Sequence, residues 1–225
     1  MPQKRKALEP GKMYHVWTHA NGDENLFRSD DDYGYFLEKY LHHLDPVVET
    51  FAYCLMPNHL HLMIRVRKEN EVLDFLRKKK GNHHPDLQGY QDLGGYSKVI
   101  AQQFSNLFNA YAKAYNLRYD RLGSLFVPNF RRKQIDSDEY YLKLIIYIHN
   151  NPVHHGFVDH PAEWIYSSWH AYMRNMETRT PKDEPLKWFI GRDRFERFHL
   201  DENINELVSE LEHDPADQQI GSPPK

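Results

Sequence analysis

The sequence predicts an α+β fold: a ferredoxin-like split β-α-β antiparallel sheet, with helices packed on one face and a helical extension at the C-terminal end. Two observations carry this. Segments at 13–20, 47–56 and 59–66 are rich in strand formers and alternate as strands do, whereas segments at 33–41, 96–115 and 140–150 repeat apolar residues every three or four positions, as helices do. With a further strand at 123–131 the order is β-α-β-β-α-β-α, the split β-α-β pattern plus one helix. At 225 residues and 40% apolar, the chain can bury one such core.

Each element has its own signal. Met13 to Ala20 reads as a first strand, broken by Asn21-Gly22-Asp23. Ser29 to Asp32 offers N-caps for a helix carrying Tyr33, Phe36, Leu37, Tyr40 and Leu41 on one face. Val47 to Met56 and His59 to about Val66 form a hairpin around the Pro57-Asn58 turn. Residues 68–95 are polar, with a short helix at Glu71 to Lys79 and otherwise a loop insertion. Val99, Ile100, Phe104, Leu107, Phe108, Tyr111, Ala112 and Tyr115 then share one helix face. Gly123 to Arg131 reads as a fourth strand, which Pro128 places at an edge or bulge. Asp136 to Glu139 cap a helix from Tyr140 to about Asn150, ended by Pro152 and Gly156. Trp164, Tyr166 and Trp169 are expected to pack back on the body. A polar link at 176–186 leads to one or two short helices between Trp188 and Leu211, and a disordered tail is expected from Pro215 to Lys225. The expected domains are residues 1–175 and a helical appendage with its tail at 176–225.

Composition excludes several classes. No run approaches the roughly 20 apolar residues of a membrane span, and no apolar segment follows the basic Met1 to Lys6, so neither membrane insertion nor a secretory signal is expected. Cys54 is the single cysteine, which rules out an intrachain disulfide and thiolate metal clusters and fits a cytoplasmic protein. The net charge of -3 is not the basic balance usual for nucleic-acid binding, so any such contact rests on local clusters. These are Arg77 to Lys80 and the set Arg118, Arg121, Arg131, Arg132 and Lys133; solvated surface is the default for each. Acid gathers instead between Asp201 and Asp214.

The segment Leu55-Met56-Pro57-Asn58-His59-Leu60-His61-Leu62-Met63-Ile64 carries the most chemistry. On a strand, His59 and His61 share one face while Leu60, Leu62 and Ile64 share the other. Two adjacent imidazoles form half of a metal site. On the later helix, Tyr147 and Asn151 stand at i and i+4, hence on one face. A phenol can attack phosphorus when a metal polarises the phosphate, and an amide oxygen can serve as a third ligand. The alternative is ordinary: with 15 tyrosines, a core tyrosine among isoleucines is the default, and Asn151 before Pro152 is a common helix-ending residue.

Three stretches in this order resemble the single-tyrosine HUH transposases of the insertion-sequence type, most closely the REP-associated tyrosine transposases. They are Tyr14-His15-Val16, the Leu55 to Met63 segment, and Tyr147-Ile148-His149-Asn150-Asn151-Pro152-Val153; Trp164-Ile165-Tyr166-Ser167-Ser168 and Phe130-Arg131-Arg132 add to the likeness, which spans about residues 13–173. The resemblance implies that His59 and His61 bind a catalytic divalent ion, Mg²⁺ or Mn²⁺, that Tyr147 is the nucleophile, and that Asn151 stands where members carry an amide ligand. It implies cleavage of single-stranded DNA beside a hairpin through a 5′-phosphotyrosine link.

Backbone contacts are expected from Arg118, Arg121, Arg131, Arg132 and Lys133, with Lys78 to Lys80 next. His15 and His149 lie near the motifs and are candidates to support the ligands or meet the substrate, with a structural role the default for both. Two other readings stay open: a host-retained, catalytically idle hairpin-binding protein of the same fold, and an unrelated metal hydrolase with a water nucleophile. The second would need further ligands, for which only His83-His84 and His154-His155, both in expected loops, are available. Monomer and homodimer are equally open.

Overall fold

The computed structural model of the chain describes residues 7–80, 95–209 and 211; of Lys78 to Lys80 and Leu207 to Ser209 it describes the backbone only. The loop insertion from Gly81, the His83-His84 pair and the tail from Pro215 lie outside the described residues, as do the side chains of the second basic cluster at 78–80. The elements run β1 (Met13–His19), α1 (Asp30–His43), β2 (Val48–Leu55), β3 (His59–Val66), α2 (Glu69–Lys80), α3 (Gly95–Arg118), β4 (Arg131–Gln134), α4 (Asp138–His154), α5 (Trp169–Met173), α6 (Asp183–Trp188), α7 (Arg192–Leu200) and α8 (Glu202–Ser209), with a 3₁₀ turn at Pro161–Glu163.

The strands form one sheet in the order β2-β3-β1-β4, every pair antiparallel. This is the split β-α-β arrangement the sequence predicts. The two crossover helices, α1 and α3, cover one face. Tyr14 and Val16 of β1 and Leu60, Leu62 and Ile64 of β3 pack there against Phe36 and Tyr40 of α1 and Ile100, Phe104, Leu107 and Tyr111 of α3. The opposite face is covered by the last helix of the predicted order, the one left over from the split β-α-β pattern. α4 lies there over Phe51, Ala52, Cys54 and Met63. Phe51 and Ala52 both reach this side because the β2–β3 register slips between Thr50 and Ala52, a bulge that turns two successive side chains the same way. α4 carries apolar residues over most of its circumference, which is the signature of a helix buried on more than one side.

β4 also departs from expectation: it begins at Arg131, where the predicted strand ended. Three features break the expected run at 123–130. Pro128 has no N–H to give a ladder, Gly123 has φ +93°, and Asn129 has φ +68°, a left-handed conformation. Leu125 to Val127 still pair with the end of β1 and its extension, through a bridge from Phe126 to Ala20 and bonds from Asn21 N to Leu125 O (2.8 Å) and Val127 N to His19 O (3.1 Å). Pro152 does not end α4. The helix continues to His154 and stops at Gly156, whose φ of +69° suits a helix C-terminus.

Beyond α4 the chain closes the exposed edge of β2. Leu55 N donates to Tyr166 O (3.0 Å) and Ser168 N to Tyr53 O (2.9 Å), so the Trp164 to Ser168 segment runs along that edge like a fifth strand fragment. The region expected to be an appendage shares this core. Phe189 and Phe195 are buried with Trp169 and Tyr172 against α4. Asn150 Nδ2 donates to His199 O (2.7 Å), and the His149 ring bridges Ser168 Oγ (2.7 Å) and His199 Nε2 (3.1 Å). Among the described residues no helix is long and apolar enough to cross a membrane.

The His149–His199 pair makes the fold acid-sensitive. Burial holds His149 well below the usual imidazole range and His199 at about 3. Below about pH 6.5 the unfolded chain therefore takes up protons that the folded chain refuses. Stability is full above that pH and falls as pH drops towards the folded values, by up to about 1.4 kcal/mol per pH unit for each histidine. Urea midpoints taken from about pH 7.5 down to about pH 4.5 should fall steadily; a flat profile would contradict this burial.

Candidate active site

β3 and α4 bring four predicted residues together. The pleat of β3 sends His59 and His61 to the α4 side, while Leu60 and Leu62 enter the α1–α3 core, as the sequence requires. Across from them α4 presents Tyr147 and, one turn on, Asn151. His59 Nε2 lies 2.7 Å from Asn151 Oδ1, and His61 Nε2 lies 3.5 Å from the Tyr147 hydroxyl. The two imidazole centroids are 5.2 Å apart. Ninety-two positions separate His59 from Asn151, so the fold alone creates this contact.

The electrostatics favour neutral imidazoles. Burial, reinforced by His155, brings His59 to about 3, and burial with the neighbouring rings puts His61 well below the usual range. A neutral imidazole has one N–H. His59 faces two amide oxygens, Asn58 Oδ1 from Nδ1 (2.8 Å) and Asn151 Oδ1 from Nε2 (2.7 Å), and can donate to only one. With its proton on Nδ1, two lone pairs oppose each other at Nε2 and Asn151 Oδ1. Rotating the Asn151 amide removes that conflict but leaves its oxygen without a donor; as placed, its Nδ2 is buried without a partner. A cation between Nε2 and Oδ1 would remove the conflict, as would an Asn58 amide turned to donate to Nδ1 while Nε2–H donates to Asn151. Two imidazoles and an amide oxygen are suitable donors for a borderline divalent ion. Among the described residues, no group of three or more His, Cys, Asp or Glu side chains is placed to hold a metal.

Other histidines join the site that the motif itself did not reveal. The His155 ring, on the C-cap residue that follows α4, sits 5.1 Å from His59. Helical spacing could have shown this, since His155 follows Asn151 by four. His15 on β1 reaches His61, with Nε2 3.0 Å from His61 Nδ1. His149 points away from the site into the contact with Ser168 and His199, a structural role.

The five basic candidates divide. β4 alternates, so Arg131 and Lys133 share the α4 side with Trp17 and His15, whereas Arg132 faces the α3 side, its guanidinium 5.5 Å above the Phe130 ring. Lys133 Nζ stands 4.5 Å over the Tyr140 ring. Arg118 and Arg121 are held by carboxylates. Arg118 pairs with the buried Asp32 (2.9 Å), and Arg121 pairs with Glu24 (2.8 Å) and donates to the carbonyls of Gly123 and Ser124. Both hold α3 and the following turn to the α1 region.

No family model matches the chain. A curated protein of Haemophilus influenzae, provisionally named a REP-associated tyrosine transposase, is 25% identical over 124 residues, which are 54% of this chain and 59% of the relative. The match thus spans about three-fifths of that relative's length. Among solved structures, a REP-associated tyrosine transposase bound to a REP hairpin superposes with a TM-score of 0.52 at 18% identity, covering 80% of this chain and 90% of the other. At that identity the superposition speaks for the fold. The curated relative supports the resemblance to REP-associated tyrosine transposases carried by the motifs, and the superposition supports the fold.

The division of the basic residues has a measurable outcome. Arg118→Ala should lower the melting temperature, because the buried Asp32 loses its cation, whereas Lys133→Ala, which removes a contact with the Tyr140 ring, should leave it nearly unchanged. Thermal melts of the two variants read this, and the reverse pattern would contradict the division.

Proposed function

We propose that this chain is a tyrosine transposase of the REP-associated kind: a metal-dependent enzyme that cuts and rejoins single-stranded DNA beside a hairpin through a 5′-phosphotyrosine link. The observation that carries the proposal is the pairing across β3 and α4, with Asn151 Oδ1 against His59 Nε2 at 2.7 Å and the Tyr147 hydroxyl against His61 Nε2 at 3.5 Å. Likeness to a relative of that name, and to a fold that binds a REP hairpin, supports it.

In this reading His59, His61 and Asn151 hold a Mg²⁺ or Mn²⁺ ion. When bound, the ion supplies Lewis-acid neutralisation of the charge that grows on the scissile phosphate. Tyr147 attacks phosphorus: its phenolic oxygen forms the new O–P bond, the bond from phosphorus to the 3′-oxygen breaks, and the phenolic proton is balanced by the one gained at the freed 3′-hydroxyl. The phosphotyrosine keeps the phosphoester bond energy, so a second 3′-hydroxyl can reverse the step on another strand without ATP. Arg131 and Lys133, on the same side of the sheet, line the approach to the backbone. α4 is rigidly held along its other side by His149 and Asn150, which fixes Tyr147 along the helix axis.

One observation favours the idle-binder reading. Tyr147 is 2% exposed and His61 1%, so a DNA strand cannot reach the phenol in this conformation. Catalysis requires that α4 or the side chains above it move when DNA binds. Incubation with labelled single-stranded DNA from the gene's own flanks and Mn²⁺, run on a denaturing gel, separates the readings. The proposal predicts a DNA–protein adduct that disappears with EDTA and with Tyr147→Phe. Cleavage retained by Tyr147→Phe would defeat it, and hairpin binding with no adduct from the wild-type protein would establish the idle binder.

A further inference from the structure

His15 belongs to β1 and pairs across the sheet with Met63, which makes it a diagonal neighbour of His61. Its ring stacks on Trp17 at 4.5 Å and lies nearly parallel to the His61 ring at 5.2 Å. Its two nitrogens are both engaged: Nε2 lies 3.0 Å from His61 Nδ1, and Nδ1 lies 3.4 Å from the Tyr140 hydroxyl. Tyr140 in turn carries Lys133 over its ring. A chain of polar contacts therefore runs from Tyr147 through His61 and His15 to Tyr140, linking two tyrosines of one helix that stand seven residues apart.

Two imidazole nitrogens 3.0 Å apart share one proton, so one donates and the other accepts. Only two arrangements satisfy the whole chain. In the first, His61 Nδ1–H donates to His15 Nε2, His15 Nδ1–H donates to Tyr140, and His61 Nε2 presents a lone pair towards Tyr147. In the second every proton is reversed: His15 Nε2–H donates to His61 Nδ1, and His61 Nε2 carries a hydrogen that occupies the position a cation or the phenol proton would need. The His61 ring is 1% exposed, so the groups in contact with it decide between the two. The choice falls to His15, and through it to Tyr140.

We propose that His15 is a positioning residue: it accepts the proton of His61 Nδ1 and so holds the His61 Nε2 lone pair open towards the Tyr147 hydroxyl. The inference rests on the reading of Tyr147 and the two motif histidines as one centre, and it adds a residue to that centre. Partners of this kind, on the far nitrogen of a ligating imidazole, typically change metal affinity 10–100-fold.

The test uses the full chain and two variants. His15→Phe keeps an aromatic ring for Trp17 and removes the acceptor; His15→Gln restores a polar oxygen close to where Nε2 stood. Nitrogen-15 NMR of metal-free protein reads the His61 tautomer, and Mn²⁺ titration followed by electron paramagnetic resonance reads affinity for the metal alone. The expected result is Nδ1–H at His61 in wild type and in His15→Gln, a shift towards Nε2–H in His15→Phe, and Mn²⁺ affinity lower by about 10–100-fold in His15→Phe alone. An unchanged tautomer and affinity in a folded His15→Phe protein would overturn the proposal. The tautomer arm needs neither metal nor DNA, so the two readings fail separately. Adduct formation with no tautomer effect removes only the role of His15, and a tautomer effect in a protein that never forms an adduct removes only the role of Tyr147.

Discussion

Strand β3 imposes the constraint on which the rest depends. It is a central strand, paired on both sides, so each of its side chains must enter one of two layers. Leu60, Leu62 and Ile64 go to the α1–α3 layer, and His59, His61 and Met63 go beneath α4. A slip of one residue in its pairing would bury the histidines among leucines and put the leucines against Tyr147 and Asn151. The apolar half of β3 thereby fixes the position of the polar half, and the centre is held as firmly as the core is.

The polar half is costly. His15, His59, His61 and Asn151 are all buried, and the Asn151 amide nitrogen has no partner. An unpaired buried donor of this kind costs about 1–3 kcal/mol. The surroundings offset this with unusually firm anchoring of α4. Phe195, Trp169 and Tyr172 pack beneath it, Asn150 and His149 bond to the chain beyond, and the Trp164 to Ser168 segment locks along β2. The C-terminal segment that carries Phe189 and Phe195 is in this sense part of the site's foundation.

Local patterns were legible and long-range pairings were not. Alternation placed His59 and His61 on one face, and helical spacing aligned Tyr147 with Asn151, because both follow from the geometry of a single element. Nothing local tells that Arg118 and Arg121 meet Asp32 and Glu24, partners 86 and 97 positions away. The same holds for His15 and His61, 46 positions apart. The displaced start of β4 had a local cause in Pro128 and the left-handed Asn129, but a left-handed asparagine cannot be told from an ordinary one by sequence. Pro152 misleads for a different reason: near a helix C-terminus, the final turn tolerates the lost hydrogen bond when packing holds the helix in place.

The claim that matters most is that β3 and α4 together hold one divalent ion beside Tyr147. Crystals of the protein soaked in Mn²⁺ and measured near the manganese absorption edge test it directly. The account predicts one anomalous peak bonded to His59 Nε2, His61 Nε2 and Asn151 Oδ1, with the Tyr147 hydroxyl as its neighbour. A peak held elsewhere by carboxylates, with His59 still facing Asn151 as a plain hydrogen-bonded pair, would contradict it.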